Sequence, residues 1–75
     1  MINLSRNYQE RKFEVLEKLK LFGKLKFSKI LLKANLSHTD LKRIEADLTQ
    51  EGLLNLEKKY YSLTDKAYIM ISQPL

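Results

Sequence analysis

The side chains of Thr39, Lys42, Arg43 and Gln50, spaced around the small Ala46, have the types and spacing to hydrogen-bond an anionic partner with a groove. Wound as a helix, the stretch points Leu41, Ile44 and Leu48 in one direction and these residues in the other. Asp40, Glu45, Asp47 and Glu51 fall on the shoulders of the apolar stripe, so the outward sector carries two cations and no carboxylate. Arg, Lys, Gln and Thr can bond phosphate oxygens and base edges, and a small Ala permits close approach. A carboxylate in the same place would repel phosphate. Such a face suits the major groove of a DNA duplex. A solvated helix face with no partner could have the same composition, so the sector alone leaves both readings open.

Other chemistry is not encoded in a recognisable form. His38 is the only histidine, at the start of an exposed helix, and it suits a phosphate or solvent contact better than a metal ligand or a base. The absence of cysteine removes disulfides and thiolate metal sites, which fits an intracellular, cytoplasmic protein. Ser37 reads as a helix cap, with no glycine-flanked elbow around it to make it a nucleophile. Gly23 and Gly52 are too isolated for a phosphate loop. The acidic residues 40, 45 and 47 read as ordinary solvated flanks. No enzyme, metal, cofactor or small-molecule ligand is expected.

The charge is distributed unevenly. Of the net +5, residues 1–33 carry nine Lys/Arg against three Glu, while residues 34–75 carry five against six acids. A local excess of this kind favours an anionic partner over general solubility. Seventy-five residues make a single domain over 1–75 with a small core, for which self-association is plausible. Neither a membrane-spanning apolar run nor a secretory signal is expected.

Several elements must position the polar sector. After an irregular lead-in over residues 1–7, a helix runs from about Asn7 to Phe22, with Tyr8, Val15, Leu16, Leu19 and Phe22 as its apolar stripe. Phe13 and Leu21 lie off that stripe and call for a neighbouring segment or a second subunit. Gly23 ends the helix, and Lys24–Phe27 alternates like a short strand. Ser28 is placed to cap a second helix, 29–34, with Ile30, Leu31 and Ala34 inward. The tight connection 35–37 leads to the third helix, about 38–51, with Ser37 as its N-cap, Asp40 completing a weak capping box, and Gly52 beyond its end. Residues 53–57 and 60–63 read as a hairpin with Lys58-Lys59 at the turn, although the Asn-Gly that tight turns prefer is missing. Thr64 can cap a last helix, 65–72, ending before Pro74. Its residues Ala67–Ile71 are apolar on almost every side, so it packs on the first helix or on its twin in another subunit.

The order helix, strand, helix, turn, helix, two-stranded hairpin, helix resembles the winged helix-turn-helix domain, an α+β and mostly helical fold. In detail it is similar to small archaeal regulators, including those of archaeal viruses and plasmids. The resembling residues are Ala34-Asn35-Leu36-Ser37, then Leu41, Leu48 and Gly52-Leu53-Leu54, then Tyr60-Tyr61-Ser62-Leu63-Thr64-Asp65-Lys66-Ala67. The last run looks like the family's Tyr-x-Leu-Thr-x-x-Gly sequence, with Ala67 where glycine is usual. The resemblance implies sequence-specific binding of double-stranded DNA for transcription regulation, by paired subunits on pseudo-palindromic sites. It makes His38, Thr39, Lys42, Arg43 and Gln50 candidates for base-edge or nearby phosphate contacts. On the wing, 53–63, it makes Lys58, Lys59 and Tyr60 candidates for backbone contacts. Phe13, Leu21, Tyr68, Met70 and Ile71 are candidates for a homodimer interface. The alternative is an adaptor that binds another protein on a winged-helix scaffold without reading DNA. RNA binding is a weaker reading, because no stacking platform beyond Tyr60-Tyr61 is evident.

Overall fold

A computed structural model describes residues 7–72. The remaining parts of two expectations, the irregular lead-in over 1–6 and the stop at Pro74, lie outside the described residues. Helix α1 (Tyr8–Phe22) begins with a full capping box that the sequence reading did not anticipate. The Asn7 Oδ1 accepts the Glu10 amide at 2.8 Å, and the Glu10 Oε1 accepts the Asn7 amide at 2.9 Å, which satisfies two amide donors at the helix start. The helix ends at Gly23, whose φ of +86° turns the chain into strand β1 (Lys24–Lys26).

Helix α2 (Phe27–Ala34) starts earlier than expected, and Ser28 does not cap it. Lys26 occupies the N-cap position without a side-chain bond. Packing sets this boundary: strand pairing ends at Lys26 opposite Tyr60, and the Phe27 ring turns in against Tyr61 and His38, with centroids 6.3 and 5.0 Å away. Asn35, in the left-handed region at φ +55°, closes α2, and Leu36 packs half-buried against the core. Helix α3 (His38–Gln50) is capped by Ser37, whose Oγ accepts the Asp40 amide at 3.1 Å. Strands β2 (Leu54–Glu57) and β3 (Tyr60–Leu63) form the hairpin, and helix α4 (Asp65–Ser72) follows. Thr64 caps α4 as expected, its Oγ1 accepting the Ala67 amide at 3.2 Å.

The three strands form one antiparallel sheet in the order β1-β3-β2. Leu25 sits opposite Tyr61, and Leu54 opposite Leu63, so one face of the sheet delivers apolar side chains to the core. The core collects Val15, Leu16 and Leu19 from α1, Ile30 and Ala34 from α2, and Leu41, Ile44 and Leu48 from α3. Leu25, Leu53, Leu54, Tyr61, Leu63 and Ala67 complete it. This is the winged helix-turn-helix architecture, α+β and mostly helical.

One apolar assignment needs correction. Phe22 is 48% exposed and not part of the α1 stripe, because the turn at Gly23 carries the chain away and Leu25 fills the core below it. The Phe22 ring instead lies 4.1 Å beneath the Lys33 ammonium. Leu31, expected to face inward, is partly buried and packs against the core.

Candidate nucleic-acid interface

Helix α3 presents His38, Thr39, Lys42, Arg43, Ala46 and Gln50 to solvent, while Leu41, Ile44 and Leu48 are buried almost completely. Its flanking carboxylates are half-buried or tied to neighbours. Asp47 accepts a hydrogen bond from the Tyr8 phenol, and Glu51 is paired with Lys12 at 2.8 Å. Both partners are on α1, so these acids are held to the side of the outward sector. Glu45 turns toward the sheet, lining a small apolar gap with Phe27, Leu41 and Tyr61. Burial, and secondarily the charge of Glu45, pushes the Tyr61 phenol above its ordinary pKa.

Tyr8 organises one side of this face. The Arg43 guanidinium lies 5.0 Å from its ring centroid and the Lys12 ammonium 5.7 Å from it. A guanidinium over a ring keeps donors along its rim for an incoming acceptor. Burial, aided by the hydrogen bond to Asp47, pushes the Tyr8 phenol up to about 12, which keeps it a neutral donor. Sequence reasoning counted Tyr8 only as a core residue. The i, i+4 pair Tyr8 and Lys12 was the available signal, but which helix it would meet depended on the tertiary packing. On the other side, the Phe27 ring contacts His38 and lies 5.8 Å from the Lys42 ammonium.

The far end of α3 is fastened to the start of α4. The Lys66 Nζ donates to the Glu51 carbonyl at 2.9 Å, and the Thr64 Oγ1 donates to the Gly52 carbonyl at 2.7 Å. Ala67, standing where the resembling motif has glycine, is fully buried, so the position admits only a small side chain. In the hairpin, Lys58 and Lys59 form an exposed two-residue turn, with Lys58 in the left-handed region at φ +60°. Tyr60 lies on the outer face of the sheet, with Lys24 and Lys26 ammonium groups 5.4 and 5.6 Å from its ring centroid.

The apolar candidates for self-association divide. Phe13, Leu21 and Ile71 line one groove together with Glu17, Lys18 and Lys20. Met70 shares a second groove with Phe13, Leu16 and Leu53, and Tyr68 lines neither. Helix α4 packs on α1, yet leaves Tyr68, Ile69 and Met70 exposed. Leu32 on α2, 75% exposed, was not singled out from the sequence.

The fold and this face define a winged-helix domain whose third helix turns a cationic, carboxylate-free sector to solvent. Among solved structures, the chain is similar to a MarR family transcriptional regulator from Silicibacter pomeroyi DSS, with a TM-score of 0.78 and 21% sequence identity. The similarity covers 83% of this chain and 46% of that one, so the chain spans less than half the length of that regulator. No protein-family model and no curated protein matches the chain. No helix among the described residues is long and apolar enough to cross a membrane.

Proposed function

We propose that this chain is a sequence-specific double-stranded DNA-binding regulator of transcription, with α3 in the major groove and the hairpin 53–63 as its wing. One observation carries the proposal: the exposed side of α3 presents Lys42, Arg43, Thr39 and Gln50 without a carboxylate, and Asp47 and Glu51 are engaged by α1. His38, Thr39, Lys42, Arg43 and Gln50 are assigned to base edges or the adjacent phosphates, and Lys58, Lys59 and Tyr60 to the sugar-phosphate backbone. The likeness to a solved transcriptional regulator supports the same scaffold. The resemblance to archaeal and archaeal-virus regulators, carried by residues 34–37, by Leu41, Leu48 and 52–54, and by the Tyr60–Ala67 run in that order, points to a cytoplasmic, nucleoid-associated protein of that lineage.

The protein acts as a homodimer through the groove lined by Phe13, Leu21 and Ile71, with Met70 joining from the second groove, which shares Phe13, and Tyr68 from the exposed side of α4. Selection of bound sequences from a random duplex pool tests both parts. Enrichment of a motif with two related half-sites is expected, and recovery of unselected sequence would sink the proposal. Sedimentation of Leu21→Glu against the wild type then locates the dimer contact, with the variant expected to run as monomer.

A second reading is favoured by a separate observation, the large apolar side chains Leu21, Leu32 and Ile69 left well exposed. On that reading the domain is a protein-binding adaptor. Random duplex at low salt separates the two, because an adaptor shows little salt-dependent retention.

A further inference from the structure

We propose that Lys24 and Lys26 of β1, gathered at the Tyr60 ring, form a phosphate-binding bridge that joins the α3 contact to the wing contact. The bridge rests on the DNA-binding proposal and adds a second element to it, one that lies outside both the helix-turn-helix and the hairpin. Lys24 and Lys26 alternate with buried Leu25, so both emerge on the outer face of the sheet. Side chains two residues apart on one strand face emerge about 7 Å apart, close to the spacing of successive phosphates along one nucleic-acid strand. Lys26 pairs across the sheet with Tyr60, and Lys24 with Ser62.

The two ammonium groups share one aromatic ring, at 5.4 and 5.6 Å from its centroid. Among the described residues, neither is paired with a carboxylate. The nearest acid in register on this face is Glu57, opposite Tyr60 on the far strand. Two unpaired cations gathered at one ring repel each other in the free protein, and an anion placed between them relieves that repulsion.

Continuity places the bridge. Lys26 is followed directly by Phe27, whose ring contacts His38 and lies near the Lys42 ammonium at the start of α3. At the other end, Tyr60 follows directly on Lys58 and Lys59 at the hairpin tip. The cations therefore form one band, from the first turns of α3 across β1 to the wing. The occupant is the sugar-phosphate backbone of a duplex whose bases face α3. Phosphate contacts of this kind set register and affinity without reading sequence.

The test compares the wild type with Lys24→Gln/Lys26→Gln on the selected duplex and on random duplex across a range of salt. Both substitutions are on exposed positions, and an unchanged melting temperature checks the fold. Each lost phosphate contact lowers the slope of log K against log salt by about 0.9. The variant is expected to lose close to two such increments on both duplexes while the selected motif stays the same. Lys24→Arg/Lys26→Arg should restore the slope. If the double variant melts early, Lys26→Gln alone is read, with one increment expected. A folded variant that binds with the wild-type slope overturns the bridge and leaves α3 as the contact. A wild type with no salt-dependent binding to any duplex overturns the DNA-binding proposal and the bridge together.

Discussion

The outward sector of helix α3 and the hairpin tip both present cations without carboxylates, but they are held in different ways. Around α3, Ser37 caps the start, Lys66 caps the end, and Tyr8 and Phe27 hold Arg43 and Lys42 from either side. The tip has two paired strands beneath it and a lysine in a backbone conformation that favours glycine or asparagine. Side chains fixed in direction by their neighbours can discriminate one base from another, whereas mobile cations attract any phosphate backbone. On the DNA-binding function proposed above, the comparison assigns sequence preference to α3 and general affinity to the tip.

Arg43 gives the largest expected effect. Arg43→Ala should weaken binding to the selected duplex by ~1–3 kcal/mol and relax the preference at one base position. Titration of the selected duplex against a panel of single-base variants measures both. Unchanged affinity and preference would show that α3 does not read the duplex through this residue.

Tyr8→Phe should act on the same region at one remove. It keeps the ring beneath Arg43 but leaves the half-buried Asp47 without its phenol donor. A loss of about 1–2 kcal/mol in denaturant unfolding is expected, since a hydrogen bond to a charged but part-buried acceptor is broken. The motif selected should be retained, because Arg43 still has its aromatic support. A shifted motif would mean that Asp47, once released, competes for Arg43.

Lys58 separates stability from affinity at the tip. Asparagine tolerates the left-handed region at φ +60° better than lysine. Lys58→Asn should raise stability by up to about 1 kcal/mol. The same change should lower the salt slope by about 0.9 on every duplex alike. A loss confined to the selected duplex would give the tip a share in reading sequence and erase the contrast with α3.

Much of this architecture was legible in residue types because it depends on local signals. Ser37 and Gly52 mark the ends of α3, Thr64 marks the start of α4, and the alternation after Gly52 marks the hairpin. The burial of Leu41, Ile44 and Leu48 followed directly from their spacing. What could not be read depended on contacts between distant segments. Ser28 looked like a cap, yet Phe27 begins α2 because its ring has Tyr61 and His38 to pack against. Phe22 matched the α1 stripe, yet the turn at Gly23 takes it out of the core. Tyr8 and Asp47 are 39 residues apart, so nothing in the local pattern joins them. The shared ring of Lys24, Lys26 and Tyr60 likewise appears only when β1 pairs with β3.

The smallest expected effect concerns the Tyr8 phenol and its proton. Burial and the Asp47 bond raise its pKa from 10.0 to about 12, so the unfolded chain releases this proton before the folded one does. The associated stability is fully present below pH 10, and it is lost as the pH rises from 10 toward 12. Because lysines also titrate there, the informative quantity is the difference between the wild type and Tyr8→Phe. Their stabilities should converge across that interval, when unfolding is followed at closely spaced pH values. Phenolate absorbance of the folded wild type should show a late-titrating tyrosine near pH 12 that Tyr8→Phe lacks, while the raised Tyr61 titration is common to both proteins. A parallel pair of stability curves would mean that Tyr8 is solvated and that the α1 side of the α3 face is open. Arg43 would then lose the fixed direction that distinguishes it from the lysines of the tip.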